Sequence, residues 1–302
     1  MTSRAFLVLT ALAALAAIGG PRAEVEALTL YQKTGRATLV VRARALSAST
    51  RRPQVLVIET IKGNYPERTN LTVVPHFEDR GNPTPWLKRE VFRTGEESLL
   101  FLQPYVDDFG RPGHADTWEV LGANHGKLDI PPEGADALLD AVRRFASVLA
   151  LGQMEAQSEA LRGMLREKNP YLLEAALLEC RRFALARAED SQSLVPLFEH
   201  PRPDLRRGAL DVLVQILKTD GAQSETGESY RPRLFEAVAG RARMDEDASV
   251  REGAVAALEA FGDRTALSVL DSMGTADTSQ QVRYQALVAA RRLRAILEDR
   301  AD

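Results

Sequence analysis

The chain is poor in the residues that do chemistry. It has one cysteine in 302 residues, Cys180, and a lone thiol cannot build a disulfide framework. Histidine is almost as scarce, with only His76, His114, His125 and His200. The nucleophile-elbow, phosphate-loop, dinucleotide and His-Glu-x-x-His patterns are all missing. There is no surplus of positive charge: 39 Lys+Arg stand against 42 Asp+Glu, a formal net charge of −3. A nucleic-acid partner wants a basic face, so none is expected. Beyond the N-terminal residues no apolar run is long enough to cross a membrane.

The first 23 residues read as a secretory signal. Arg4 leads, Ala5–Ile18 is apolar apart from Thr10, and Gly19, Gly20 and Pro21 end the run. That run is shorter than the roughly 20 residues a membrane span needs, which predicts export and removal rather than anchoring. Cleavage is expected after residue 19 or residue 23. The expected location is therefore periplasmic or extracellular. The full chain has the composition of a folded protein, 45% hydrophobic and 27% charged, and a length that predicts two domains.

Residues 24–130 read as a β domain. Ala37–Leu46 alternates from Val41 onward, with Val41, Ala43 and Ala45 on one side and Arg42 and Arg44 on the other, the period of a half-buried strand. Pro53–Ile61 is a β-branched run closed by the turn Lys62-Gly63-Asn64-Tyr65-Pro66. Thr69–Val74, Glu97–Leu102, Thr117–Leu121 and Lys127–Ile130 are further strand candidates, and His76–Thr94 a long excursion. Several short strands with long loops predict a small barrel or sandwich. The order of strands, the Ile61-Lys62-Gly63 ending, Gly95-Glu96 before an apolar strand, and Gly122 and Gly126-Lys127 resemble a β domain of exported bacterial proteins. That domain is similar to the OB-type barrel of netrin-like modules. Protease-inhibiting modules of that kind work through N-terminal disulfides, which one cysteine cannot supply.

Pro131-Pro132 marks a boundary, and residues 131–168 read as connecting helices. Leu138, Leu139, Val142, Phe145 and Leu149 share one face of a helix opening near Glu133. From 169 to 302 a repeat takes over. Leu172, Leu205, Val250 and Val282 head its copies at spacings of 33, 45 and 32 residues. Four positions on stand Ala176, Ala209, Ala254 and Ala286. The long spacing is explained by the polar insertion Thr219–Ser229. Shorter second helices are expected at Ser191–His200, Tyr230–Arg243 and Arg264–Met273.

These helix pairs resemble HEAT repeats, particularly the short bacterial type also found in phycobilisome-lyase-like proteins. Asp247 through Asp263 carries the motif most fully, whereas the first copy has Leu173 where the later ones have arginine. A helix pair cannot bury its apolar face alone, so copies must stack into an α-solenoid. Alanine at the fixed position lets neighbouring helices approach closely. Asp247/Arg251 and Asp277/Arg283 are expected to bridge loops between repeats and cap helix starts.

Each candidate for chemistry has a plainer reading. His114-x-Asp116 with His125 could supply metal ligands, but the spacing matches no metal motif. His200 ends a helix before Pro201, where a cation suits the helix dipole. Cys180, among Leu177, Leu178 and Phe183, reads as a small buried hydrophobe. Trp118 reads as core and Trp86, in a Pro-rich loop, as a surface contact. Arg181, Arg182 and Arg187, and Arg291, Arg292 and Arg294, read as solvated helix faces. Asn70-Leu71-Thr72 fits a glycosylation acceptor, incidental in a bacterial host. No catalytic, cofactor-binding or metal residue is assigned, and no cofactor is expected. The expected function is a non-enzymatic exported scaffold presenting its repeats to a protein or peptide. The alternatives are a lyase-like or accessory protein with a substrate cleft between domains, and an envelope-structural protein.

Overall fold

A computed structural model describes residues 28–47, 52–74, 92–107, 109–121, 126–219 and 231–299. The expected signal segment, His76, Trp86, His125 and nearly all of the insertion after Thr219 lie outside these. The six expected strands are all present: β1 (Leu39–Ala45), β2 (Gln54–Lys62), β3 (Asn70–Val74), β4 (Glu97–Pro104), β5 (Thr117–Val120) and β6 (Lys127–Asp129). Five of them close a barrel in the order β1-β2-β3-β5-β4, because β1 pairs with both β2 and β4; β6 adds to β4 outside the ring. Every pairing is antiparallel except β3 with β5.

The alternation read from the sequence points as expected. Val41, Ala43 and Ala45 are buried in the barrel with Val55, Val57, Leu71, Val73, Leu100, Leu102 and Val120, while Arg42 and Arg44 turn outward and share Glu97 at 2.7 and 2.6 Å. The interior is therefore filled by side chains. The outer face of β1 and β4 is also apolar: Val40, Leu99 and Phe101 are buried there against Leu138, Leu139 and Val142. Those three lie on α2 (Ala135–Leu149), which lies over the barrel and turns Phe145 and Val148 toward the helical half.

The strand pattern gave no sign of a short helix before the barrel, α1 (Leu30–Arg36). Its signal was present in Thr29-x-x-Gln32, a capping box in which Thr29 Oγ1 accepts from Gln32 N at 3.1 Å and Gln32 Oε1 from Thr29 N at 3.3 Å. Lys62 Nζ donates to the carbonyls of Thr34, Gly35 and Ala37 at 2.7, 3.1 and 2.6 Å, which satisfies the helix's open end. Gly63 has φ +89°, and a Cβ there would lie 2.8 Å from Thr38 O. The Lys-Gly ending of β2 is thus a clamp on α1.

The helical half follows: α3 (Met154–Gly163), α4 (Pro170–Phe183), α5 (Ser191–Leu194), α6 (Pro203–Thr219), α7 (Arg231–Met244), α8 (Ala248–Phe261), α9 (Arg264–Ala276) and α10 (Gln280–Asp299). α4, α6, α8 and α10 are the first helices of the repeat and stack in series; α7 and α9 are second helices. The second helix expected at Ser191–His200 is instead one α turn continued as a 3-10 segment, Val195–Glu199. Pro196 has no N–H for an α-helical bond, so the tighter turn takes over. Ala176, Ala209, Ala254 and Ala286 are all fully buried. One apolar core runs from Phe145 on α2 to Leu293 on α10, the continuous core that stacked repeats require. The protein is a closed barrel followed by an α-solenoid.

Candidate interaction surface

The stack is held in register by arginines, through partners that sequence spacing did not reveal. Arg206 Nε and Nη2 bond the two oxygens of Asp245 at 2.9 and 2.8 Å, with both residues buried. Arg251 grips Asp277 the same way at 2.8 and 3.0 Å. The third nitrogen of each reaches back to its own turn: Arg206 Nη1 to His200 O and Pro201 O, Arg251 Nη1 to Asp245 O and Glu246 O. The expected Asp247/Arg251 pairing is therefore corrected. Asp247 caps α8 by accepting from Ser249 N and Val250 N, and Arg251 crosses to the next repeat. Arg283 likewise bonds the Asp277 and Thr278 carbonyls, not the Asp277 carboxylate.

Burial pushes the Asp277 carboxyl upward, but hydrogen bonds from Arg251 and from Ser279 N–H outweigh it and hold the group below the usual range. The hydrogen bonds that Arg206 donates to Asp245 keep it more firmly charged than usual, against the opposing effect of burial.

The turns share a second device. Asp245 Oδ1 accepts from Asp247 N at 3.0 Å, Asp277 Oδ1 from Ser279 N at 2.7 Å, and His200 Nδ1 from Arg202 N at 3.1 Å. His200 thus holds the turn by accepting from the Arg202 amide. It occupies the position of the ladder aspartates, and the helix that would face it carries Leu173 in place of arginine. The arginine and its acid are absent together.

With the first helices fixed, the second-helix segments form a row with two clefts. One, about 230 Å³, is lined by Gln192, Val195, Pro196, Arg233 and Leu234. The other, about 490 Å³, lies between α7 and α9 and is lined by Arg231, Pro232, Phe235, Glu236, Asp263 and Thr265. Beside it Phe235 meets Phe261 edge to face at 5.4 Å. The Arg231 guanidinium sits 5.4 Å over the Phe261 ring and donates to Phe261 O. An aromatic side with one cation and two nearby carboxylates suits a chain that offers both apolar and charged groups. A further cleft of about 510 Å³ lies between β2 and α2, spanned by Arg143 to Glu59 at 2.8 Å.

Other candidates resolve plainly. His114 and Asp116 are exposed, His125 is outside the described residues, and no group of three metal-binding side chains occurs among the described residues. Cys180 is buried, and that burial, with the nearby Asp190 charge, pushes its thiol up to about 12. Trp118 is partly buried against the barrel core, edge-on to Tyr65 at 6.3 Å. Asn70 opens β3. The basic runs do more than face solvent. Arg181 pairs with Asp211 and Arg292 with Glu259, each joining adjacent first helices, while Arg187 pairs with Glu155 and Arg294 with Asp271.

A family profile described as HEAT repeats matches residues 191–291. No curated protein matches the chain. Among solved structures, a crystal structure of an engineered protein is 17% identical at a TM-score of 0.38, covering 53% of this chain and 76% of its own. The designed armadillo repeat protein YIII(Dq)4CqI is 14% identical at 0.36, covering 52% and 76%. A related design, solved in complex with peptide (KR)4, is 14% identical at 0.35, covering 53% and 82%. Residues 191–291 of the stacked helical array are thus similar to HEAT repeats.

Proposed function

We propose that this chain is a non-enzymatic exported scaffold whose second-helix row binds a segment of another protein. The observation that carries the reading is the pair of clefts in consecutive grooves of that row, each with an arginine beside an apolar side chain. Stacked repeats place equivalent grooves in series, so one extended segment can enter both. The barrel acts as a rigid mount: its interior is filled, and α2 ties it to the first repeat. The ring order with a single parallel pair, β3 with β5, supports the OB-like reading of that domain.

Panning a peptide display library against the full chain tests the function. Enriched peptides should lose binding to Phe235→Asp and Arg233→Glu variants whose circular dichroism is unchanged. A library that yields no binder, or binders indifferent to both changes, overturns the reading. Export is tested separately by fusing residues 1–23 to a phosphatase that is active only outside the cytoplasm. An inactive fusion removes that part of the proposal.

A further inference from the structure

Two positions of a first helix engage the repeat that follows, the first at all three stacking steps and the second at the last two. The first is apolar: Leu177, Leu210 and Val255 are 3%, 0% and 3% exposed. Leu177 and Leu210 face glycines of the next first helix: a Cβ on Gly208 would meet Leu177 at 3.2 Å, and one on Gly253 would meet Arg207 at 2.6 Å and Leu210 at 3.3 Å. The second is the ladder arginine, whose fork closes on an aspartate of the next turn, Arg206 on Asp245 and Arg251 on Asp277.

On α10 neither position is covered by a following repeat among the described residues. Leu287, the counterpart of Val255, rests one side on Gly274 of α9, where a Cβ would meet it at 2.7 Å, and is still 51% exposed; Tyr284 beside it is 63% exposed. The Nε and Nη2 of Arg283 meet no carboxylate among the described residues; only its Nη1 is used. Arg291 is exposed one turn beyond Leu287 on the same stripe. The face is apolar at its centre and basic around it, although the chain as a whole is acidic.

We propose that the outer face of α10 docks a helix of a different polypeptide, one preceded by an aspartate and carrying glycine or alanine eight residues after it. That is the spacing of Asp245 and Gly253, the pair that meets Arg206 and Leu210 inside the stack. The incoming carboxylate closes the fork of Arg283, and the small residue lets the helix settle on Leu287. A bidentate arginine–carboxylate pair fixes orientation as well as contributing energy. Charge selects against a second copy, because a two-fold pairing of this face would set arginines against arginines. The surface is distinct from the second-helix clefts.

The probe is a synthetic hairpin of residues 245–276, helically stapled on the side opposite Gly253, titrated into the full chain by fluorescence anisotropy. Saturable binding is expected. Arg283→Glu should weaken it at least tenfold, and a probe bearing Asp245→Lys should recover the loss. Leu287→Asp should abolish it, while Phe235→Asp in the cleft leaves it unchanged. Three results overturn the proposal: no saturable binding of the stapled probe, binding indifferent to both α10 substitutions, or a chain that sediments as a dimer dissociated by Leu287→Asp.

Discussion

The barrel and the helical array solve the same burial problem in opposite ways. The barrel brings strands far apart in sequence together, Leu39 with Leu102 across β1 and β4 for example, and leaves no edge in its ring. The array buries each helix against its sequence neighbours, and α10 leaves exposed the positions that are covered on its predecessors. A closed unit specifies itself by non-local pairing. An open one needs a register device, and here that device is the buried arginine–aspartate ladder. The junction belongs to both, because α2 gives Val142 to the barrel face and Phe145 to the repeats.

The sharpest way to break this contrast is at the junction. Phe101 is fully buried between β4 and α2, so Phe101→Ala should cost about 3–5 kcal/mol. Denaturant unfolding followed by barrel and helix signals should shift in both, whereas two independent domains would shift in one. Removing one ladder partner is expected to rank close behind. Arg206→Ala leaves the buried Asp245 with only Arg241, at 3.5 Å, as a cationic partner, and should cost about 3–5 kcal/mol, seen as a lowered midpoint; no change would mean that Arg241 suffices. Ala254→Leu, in the tight column between first helices, should cost about 1–3 kcal/mol by overpacking, measured the same way. The exposed Arg181–Asp211 pair should matter least, about 0–1 kcal/mol on Arg181→Ala.

A pH experiment sharpens the comparison where α1 meets the repeats. Glu179 on α4 is buried and accepts from Gln32 Nε2 at 2.8 Å and Thr29 Oγ1 at 3.3 Å. Burial pushes its carboxyl above the ordinary range, and the two hydrogen bonds only partly offset this. The folded chain thus holds this proton more tightly than the unfolded chain. That contribution is complete below the ordinary glutamate value and is lost as pH rises through the raised one. Glu179→Gln should therefore be the more stable form at neutral pH, with its advantage fading as pH falls through that window. Thermal midpoints across the series check it, and a constant difference would refute it.

Most of the architecture was legible because it rests on short periods. Alternation at Val41, Ala43 and Ala45 fixed a strand face, and alanines recurring every thirty-odd residues fixed the stack. What stayed hidden depends on contacts that the period does not encode. Arg206 and Asp245 lie 39 residues apart, and spacing alone suggested the nearer Asp247 for Arg251. α1 is only seven residues long and was masked by the β-rich text after it, although its capping box was there to read. The clefts between second helices needed three dimensions, since Arg231 and Phe235 lie on α7 while Asp263 and Thr265 come from the start of α9. The contrast between α10 and its predecessors also emerged only once exposure was known at equivalent positions.

The matched loss of arginine and acid at Leu173 and His200 has a consequence for how this array can change. Excising the unit from Pro203 to Met244 would bring the turn holding Asp245 against Leu173. A charge made for a guanidinium would then be sealed against a methyl group, at a cost of several kcal/mol. That unit is thus fixed in place by its joints, whereas excising residues 245–276 would set Asp277 under Arg206 and leave a matched pair.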